Sequence, residues 1–210
     1  DADNRLVGPI EGSNAEIGLK GEWFDGGLNA SLAVFRADQD NLAEYAGFDA
    51  GTGRSYYAGV DARSQGVGLD VAGRLGEHWH LAGGYTVLDL EGADGSDART
   101  YVPRQLLRLS AVVDLAAVPG LSLGANLRWQ SAIDRDAVAY DDLGTATPLR
   151  IEQSSYALLG LMANYAINER WSATLNLDNV TDEKYLTSLY WEQAYYGAPR
   201  GVTLSVGYRF

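Results

Sequence analysis

The 210-residue chain has no cysteine, and it has only one methionine and two histidines. The lack of cysteine excludes disulfide bridges, thiolate metal sites and cysteine nucleophiles. No run of about 18 apolar residues is present, which excludes a membrane-spanning helix. The chain opens Asp1-Ala2-Asp3-Asn4, without a basic or apolar leader, so we expect a mature sequence or an internal piece of a longer one. Positive charge is scarce as well: a net charge of −12 argues against a nucleic-acid partner, whose phosphates need a basic surface.

The last nine residues alternate strictly between two kinds of side chain. One set is apolar or aromatic and the other is small or polar, as in a transmembrane β-strand with one side in lipid and the other in a wet lumen. Such a strand needs only about 10 alternating residues, so low overall hydropathy does not exclude a membrane protein. The apolar set is Val202, Leu204, Val206, Tyr208 and Phe210, and the polar set is Thr203, Ser205, Gly207 and Arg209.

Eight earlier segments repeat this alternation, and none of them shows sustained helical periodicity. We therefore predict an all-β chain that contributes about nine strands to a transmembrane antiparallel β-barrel. The predicted strands are 14–24, 28 to about 44, a segment ending at Leu75, a segment starting at Trp79, 107–115, 121–130, 157–165, 171–178 and 202–210.

The predicted connections alternate in length. Those near 25–27, 76–78, 116–120 and 168–170 are short, whereas those near 45–55, 93–102, 135–150 and 187–198 are long and rich in Gly, Asp and Tyr. Short turns on one rim and long loops on the other are typical of outer-membrane barrels, which have periplasmic turns and extracellular loops.

Three tryptophans support the membrane interpretation. Trp23, Trp79 and Trp171 all lie on the apolar face beside short turns, where an interfacial girdle is expected. The alternative is a soluble β-sandwich or lipocalin-like barrel with its apolar face turned inward. That fold would have to bury every Leu and Val of this face together with three Trp, on strands longer than the usual soluble length of about 5–6 residues.

Nine crossings is an odd number, whereas single-chain bacterial barrels have even strand counts. Open sheet edges are not tolerated in lipid, so the first and last strands need partners. Unless these two edges meet each other, further strands must precede residue 1. We expect the chain to be the C-terminal part of a larger barrel.

Several motifs resemble one family. Residues 179–185 read N-V-T-D-E-K-Y, residues 196–200 read Y-G-A-P-R, and the chain ends Y-R-F. Residues 16–30, E-I-G-L-K-G-E-W-F-D-G-G-L-N-A, are similar to a hairpin of the same family and are continued by Phe35-Arg36 and Gln39-Asp40-Asn41. Together they resemble the C-terminal barrel part of TonB-dependent siderophore receptors, and most of all the hydroxamate (coprogen, rhodotorulate) and pyoverdine receptors.

The resemblance implies a barrel of about 22 strands whose lumen is filled by an N-terminal plug. It implies a bacterial outer-membrane receptor that imports ferric siderophores with energy passed on by the TonB complex. Residues 1–210 then hold only barrel, and we expect the plug and the TonB box to lie outside this chain. No cofactor is implied, because the siderophore supplies the ligands of the iron.

Aromatic residues in the predicted outer loops are the candidates for ligand contact. Tyr190, Trp191, Tyr195 and Tyr196 could cradle a bulky iron chelate, and Tyr56 and Tyr57 form a second candidate. The alternative for the first group is an outer aromatic girdle or packing between loops. Arg104 and Arg150 could attract an anionic siderophore, lipopolysaccharide phosphates or nearby carboxylates.

Other motifs favour structural roles. Tyr208 and Phe210 resemble the family's terminal aromatic signal, which the outer-membrane assembly machinery reads. Residues 179 and 182–185 suggest a bulge or a lumen-side network in a long strand. Residues 196–200 are expected to lead the loop into the last strand, since proline is tolerated at strand starts.

Catalysis is not expected. His78 and His80 sit at a predicted short turn, and no Ser-His-Asp set, metal-ligand cluster or phosphate loop stands out. The pairs Asp134/Asp136 and Asp141/Asp142 could bind Ca²⁺, but a solvated surface is the simpler reading. Alternative functions are a TonB-dependent receptor for a corrinoid or a glycan, and, in another class, a small barrel acting as adhesin or enzyme.

Overall fold

The computed structural model describes residues 1–3, 5–190 and 194–210, and these residues form eleven strands. No helix in the described part is long and apolar enough to cross a membrane. The strands are β1 (Glu11–Trp23), β2 (Leu28–Asp49), β3 (Arg54–Leu75), β4 (Trp79–Gly92), β5 (Gln105–Asp114), β6 (Leu121–Gln130), β7 (Ile133–Tyr140), β8 (Ala146–Gln153), β9 (Tyr156–Ala166), β10 (Trp171–Asp178) and β11 (Gly201–Tyr208).

Nine strands form one antiparallel sheet in the order β1-β2-β3-β4-β5-β6-β9-β10-β11. The prediction of nine up-and-down strands is therefore confirmed. Two predicted loops were wrong. The stretch near 135–150 holds the separate hairpin β7–β8, and the stretch near 45–55 is mostly strand, because β2 and β3 continue to a turn at residues 50–53.

The register places the predicted apolar residues of neighbouring strands on one face. Residues paired directly across a sheet share a face, so each row of partners can be followed through the strands. One such row is Leu19, Leu32, Leu69, Tyr85, Leu107, Trp129 and Ala157. This face is covered by no second sheet: the buried apolar residues of the described part are Ile133, Ala137, Tyr156 and Leu189, at the long-connection end. The sandwich alternative is therefore excluded.

The apolar rows stop abruptly at the end of the sheet nearest the long connections. Beyond Val67 on β3, the same face carries Gln65 and then Arg63. Arg63 Nε lies 2.9 Å from Asp38 Oδ1, and Arg36 Nε lies 2.8 Å from Asp38 Oδ2. Hydrogen bonds from Arg36 and Arg63 hold the pKa of Asp38 down to about 2, so the network is ionised at neutral pH.

From one tryptophan of the apolar face to the next, the position along the strand moves toward the short turns by a similar amount for each strand crossed. The row through Trp23 meets β4 at Leu81, two residues from Trp79, after three strand steps. The row through Trp79 meets β10 at Leu175, four residues from Trp171, after four further steps. The shift is about one residue per strand. One residue advances about 3.3 Å along a strand and neighbouring strands lie about 4.8 Å apart, so the shift corresponds to a strand tilt of about 35°.

In a barrel with this tilt the three tryptophans lie at one height. On β3 the apolar positions run from Leu75 to Val67, eight residues apart by number. Tilted by about 35°, such a segment spans about 22 Å, close to the apolar band of about 25 Å on membrane barrels. The apolar face thus has about the height of a lipid-facing band.

Candidate functional site

The long connections lie together at the end of the sheet away from the short turns. They are residues 93–104, 131–155 with its hairpin β7–β8, and 179–200, and the four-residue turn 50–53 at the tip of the extended β2–β3 hairpin lies at the same end. The short turns are residues 24–27, 76–78, 115–120 and 167–170. The predicted segregation of connection lengths is therefore present for three of the four connections at this end, which is the rim where outer-membrane barrels carry their long extracellular loops.

An arginine packed against two neighbouring tyrosine rings joins three of these connections. The Arg135 guanidinium of β7 lies 5.3 Å from the ring centroid of Tyr101 and 5.8 Å from that of Tyr190. The two rings are 5.3 Å apart. Cation–π attraction stabilises such a contact, and more so when water is excluded. Arg135 Nη1 is buried and meets no hydrogen-bond acceptor in the described part of the chain.

The hairpin is fixed to its neighbours by hydrogen bonds and by a small apolar core. Thr100 Oγ1 donates to the Asp134 carbonyl at 2.8 Å, and the Asp134 amide donates to the Thr100 carbonyl at 3.2 Å. Ile133 and Leu189 are buried, Leu189 completely. The connections therefore form an ordered layer over the end of the sheet.

The two candidate arginines of the loop bases already have partners. Arg150 lies 2.8 Å from Asp134 and 3.1 Å from Glu152, and the charge of Asp134 raises the pKa of Arg150. Arg104 Nη2 donates to the carbonyls of Leu90 and Ala98 at 3.1 and 2.7 Å. Carboxylate pairing, one of the alternatives considered, accounts for Arg150, whereas Arg104 braces its loop through backbone carbonyls, a role that the sequence did not indicate.

The aromatic candidates of the 179–200 connection occupy different environments. Tyr190 belongs to the arginine cluster, whereas Tyr195 and Tyr196 are 60% and 79% exposed. The Tyr195 carbonyl accepts hydrogen bonds from Thr187, and Tyr196 forms an isolated bridge with Leu186. Trp191 lies outside the described residues. The exposed tyrosine rings are accessible to a large ligand.

The NVTDEKY motif forms a turn after β10, not a bulge within a strand as predicted. Asn179 is buried and has a φ of 48°, a left-handed conformation that asparagine tolerates. Its Nδ2 donates to the carbonyls of Glu183 and Ala198 at 2.9 and 3.1 Å, and its Oδ1 accepts from the Glu183 amide at 2.9 Å. Asp182 Oδ1 accepts from the Arg200 amide at 2.9 Å. The motif therefore has the expected structural role: its hydrogen bonds join the start of the 179–200 connection to the residues that lead into β11.

The Tyr56/Tyr57 candidate separates into two faces. The pairing of β2 with β3 has two irregularities, and both insert the extra residue into β2. The alternation of side chains along β3 is therefore unbroken. Consecutive residues of a strand point to opposite faces. Tyr57 therefore shares the outward face of Arg63 and forms an edge-to-face pair with Tyr45, at 6.2 Å between centroids. Tyr56 lies on the lumen face against Gly47.

The C-terminal aromatics continue the tryptophan row. Trp171 and Tyr208 are paired across β10 and β11 with ring centroids 4.8 Å apart. Phe210 meets Tyr208 edge to face at 5.2 Å. These rings form one exposed aromatic cluster beside the 167–170 turn.

A serine, an aspartate and a histidine meet near the short turns, which sequence reasoning missed. His80 Nε2 lies 3.3 Å from Asp114 Oδ2, and Ser122 Oγ donates to Asp114 Oδ1 at 2.6 Å. The Ser122 hydroxyl contacts the Asp114 carboxylate and not the His80 imidazole. In a nucleophilic triad the hydroxyl contacts the imidazole, so this arrangement is a different one. In the described part, no group of three or more His, Cys, Asp or Glu is arranged to hold a metal.

Comparison with known proteins agrees with this geometry. The family model described as TonB dependent receptor-like, beta-barrel, matches residues 2–180. The chain belongs to the TonB-dependent receptor β-barrel family. Two curated relatives in this family align over the whole chain: the ferric-pyoverdine BN7/BN8 receptor of Pseudomonas putida, 34% identical, and the ferripyoverdine receptor of Pseudomonas aeruginosa, 33% identical.

Solved structures of the TonB-dependent receptor family show the same fold. The pyoverdine outer-membrane receptor of Pseudomonas aeruginosa, bound to pyoverdine, superposes with a TM-score of 0.88 at 32% identity. The alignment covers 100% of this chain and 31% of that one. The chain likewise spans 24% and 26% of the length of the two curated relatives. It is thus part of a transmembrane barrel whose remaining strands are not among these 210 residues.

Proposed function

We propose that this chain forms the last strands of a bacterial outer-membrane receptor for TonB-dependent uptake of ferric siderophores. One observation carries the proposal: similarity over the entire chain to a receptor whose solved structure is bound to pyoverdine. The relatives are receptors and not enzymes. We propose accordingly that this protein performs no chemistry on its ligand, and that the plug and TonB-contacting segment belong to the part of the protein outside residues 1–210.

The long-connection rim supplies the ligand contacts in this proposal. Tyr195 and Tyr196 offer exposed aromatic surface to a bulky chelate, and Trp191 belongs to the same connection. Tyr56, which is half-buried, adds a lumen-facing ring at the β2–β3 hairpin. The Tyr101–Arg135–Tyr190 cluster holds the surrounding connections in place. Ferric siderophore is then cargo, recognised through its organic shell, and no resident cofactor is needed.

The opposite rim serves assembly and anchoring. Trp23, Trp79 and Trp171 form the periplasmic aromatic girdle, at the interface where amphipathic rings are favoured. Tyr208 and Phe210 provide the terminal aromatic signal for the assembly machinery. Lipid and lipopolysaccharide contact the outward face.

A binding panel on the purified full-length receptor tests the ligand class. Ferric pyoverdines, ferric hydroxamates, a corrinoid and an oligosaccharide are titrated while the intrinsic tryptophan fluorescence is followed. We expect saturable binding of at least one ferric siderophore and much weaker binding of its iron-free form. Saturable binding of only the corrinoid or the oligosaccharide would replace the siderophore by that nutrient class.

A further inference from the structure

The outward face of β1–β4 carries a groove at the height where its apolar rows end. The groove has a volume of about 590 Å³, and two neighbouring cross-strand rows of side chains line it. The row nearer the short turns is Ile17, Val34, Val67 and Val87, and the row nearer the long connections is Ala15, Arg36, Gln65 and Asp89. The groove is therefore apolar toward the membrane centre and polar toward the outer rim.

The apolar row is open to whatever lies outside the barrel. Its four side chains are exposed, from 38% for Val87 to 76% for Ile17. Lipid tails are as apolar as these side chains, so a tail is held here by packing contacts and not by removal of water. A groove increases those contacts, because it touches a tail on more than one side, whereas a flat sheet touches it on one.

The polar row offers both hydrogen-bond donors and acceptors. Arg36 uses Nε and Nη2 on the carboxylate of Asp38, at 2.8 and 3.0 Å, and half of its side chain is exposed. A guanidinium has five N–H donors, so Arg36 keeps donors for a further anionic oxygen. Asp89 accepts from Gln65 Nε2 at 3.3 Å, and a carboxylate has lone pairs for more than one donor. The row therefore suits a headgroup that combines phosphate with hydroxyl or amide groups.

The position of the groove determines which lipid reaches it. It lies toward the long connections, the side that outer-membrane barrels turn to the cell exterior. The outer leaflet of that membrane is built of lipopolysaccharide, whose lipid A headgroup is a phosphorylated amino-sugar disaccharide with amide-linked acyl chains. Its phosphate complements Arg36, and its hydroxyl and amide groups complement Gln65 and Asp89. A zwitterionic phospholipid has a phosphate and an ammonium group but no sugar hydroxyls.

We propose that this groove seats one lipopolysaccharide molecule, with an acyl chain against the row from Ile17 to Val87 and a lipid A phosphate on Arg36. The contact with Arg36 is a charge-assisted hydrogen bond, the stronger kind, at the edge of a medium that excludes water. The bound lipid bridges four strands beside the Arg36–Asp38–Arg63 network. This inference rests on the proposed outer-membrane receptor and gives its outward face a specific partner, whichever nutrient the receptor imports.

The test titrates the purified, delipidated full-length receptor with lipid A, and native mass spectrometry measures the bound lipid. R36Q removes the charge that faces the phosphate. A15W fills the groove and leaves Arg36 and Asp38 in place, at a position that is exposed. R170Q is the matched control, because Arg170 lies in the 167–170 turn at the opposite rim. The thermal midpoint of each variant reports whether it is folded.

We expect R36Q and A15W each to raise the Kd for lipid A about tenfold, and R170Q to match the wild type. Affinity for the ferric siderophore should stay the same in all three, because the groove faces away from the lumen. The proposal fails if either variant, once folded, binds lipid A as the wild type does. It also fails if phosphatidylethanolamine binds the wild type as tightly as lipid A, since the groove is then a general lipid contact. Absence of siderophore binding by the wild type would instead overturn the proposed uptake and leave the lipid A result standing.

Discussion

The Tyr185 ring lies directly against Gly197, so closely that a β-carbon at position 197 would overlap the ring atoms. The same ring stacks on Tyr156, with centroids 4.6 Å apart. The Tyr156 hydroxyl donates to Gln130 Oε1 at 2.9 Å. This contact therefore ties the 179–200 connection to the lumen side of β6 and β9.

Replacing Gly197 with alanine should destabilise the connection by about 1–3 kcal/mol, because the added methyl group must displace the Tyr185 ring. Gly68→Ala is the matched control, since a β-carbon there meets no atom within 4 Å. Equilibrium unfolding of the full-length receptor in lipid measures both changes. Equal stability of the two variants would show that the connection rearranges freely.

Asn179 supports a second prediction, because its amide group makes three hydrogen bonds to the backbone. Asn179→Asp removes both donors but keeps the acceptor, and should cost about 1–3 kcal/mol because a carboxylate oxygen at a buried position then faces the two carbonyls that the amide group satisfied. Asn179→Ala should cost at least as much, because alanine also disfavours the left-handed backbone. Asn14→Asp, at an exposed position, serves as the control in the same unfolding assay. A change no larger than that of the control would contradict the role assigned to Asn179.

The strands of the main sheet could be predicted because contact with lipid imposes a strict alternation on every one of them. The hairpin β7–β8 could not. Its inward positions include Arg135, and β8 contains Pro148, so the apolar–polar alternation typical of a lipid-facing strand is absent where the hairpin packs on other connections instead of lipid. Arg135 and Tyr101 carry no sequence pattern, because their association depends on three connections meeting in space.

For the ligand candidates, too, the sequence could not predict which way single side chains face. Tyr56 and Tyr57 form one candidate in the sequence, yet their adjacency within a strand places them on opposite faces. The sequence around them resembled a loop, which would not have imposed that alternation. Because β3 begins at Arg54, both tyrosines lie within the strand and their side chains point to opposite faces.

Tyr56 and Tyr57 should therefore respond differently to alanine substitution. Tyr56→Ala is expected to weaken ferric-siderophore binding, by about 2 kcal/mol if its lumen-facing ring is a hot spot. Tyr57→Ala should leave the affinity unchanged, because its ring packs on Tyr45 on the outward face. Fluorescence titration of the purified receptors measures both. The reverse order of effects would overturn the assignment of faces.

Removing Phe210 should reduce the amount of folded receptor in the outer membrane, because the terminal aromatic is proposed to be read during assembly. Receptor that does fold should bind its siderophore normally, since Phe210 lies beside the short turns, far from the long-connection rim. Heat-modifiable migration on gels gives the folded fraction, and titration gives the affinity. Normal assembly with lost binding would contradict this role.

The most direct test of the account is uptake of radioactive iron, presented as the siderophore chosen from the binding panel. Cells producing the full-length receptor are compared with cells lacking it and with cells lacking TonB. The account predicts accumulation only where both the receptor and TonB are present. Equal accumulation without TonB, or none in any strain despite tight binding, would contradict active transport by the protein to which this chain belongs.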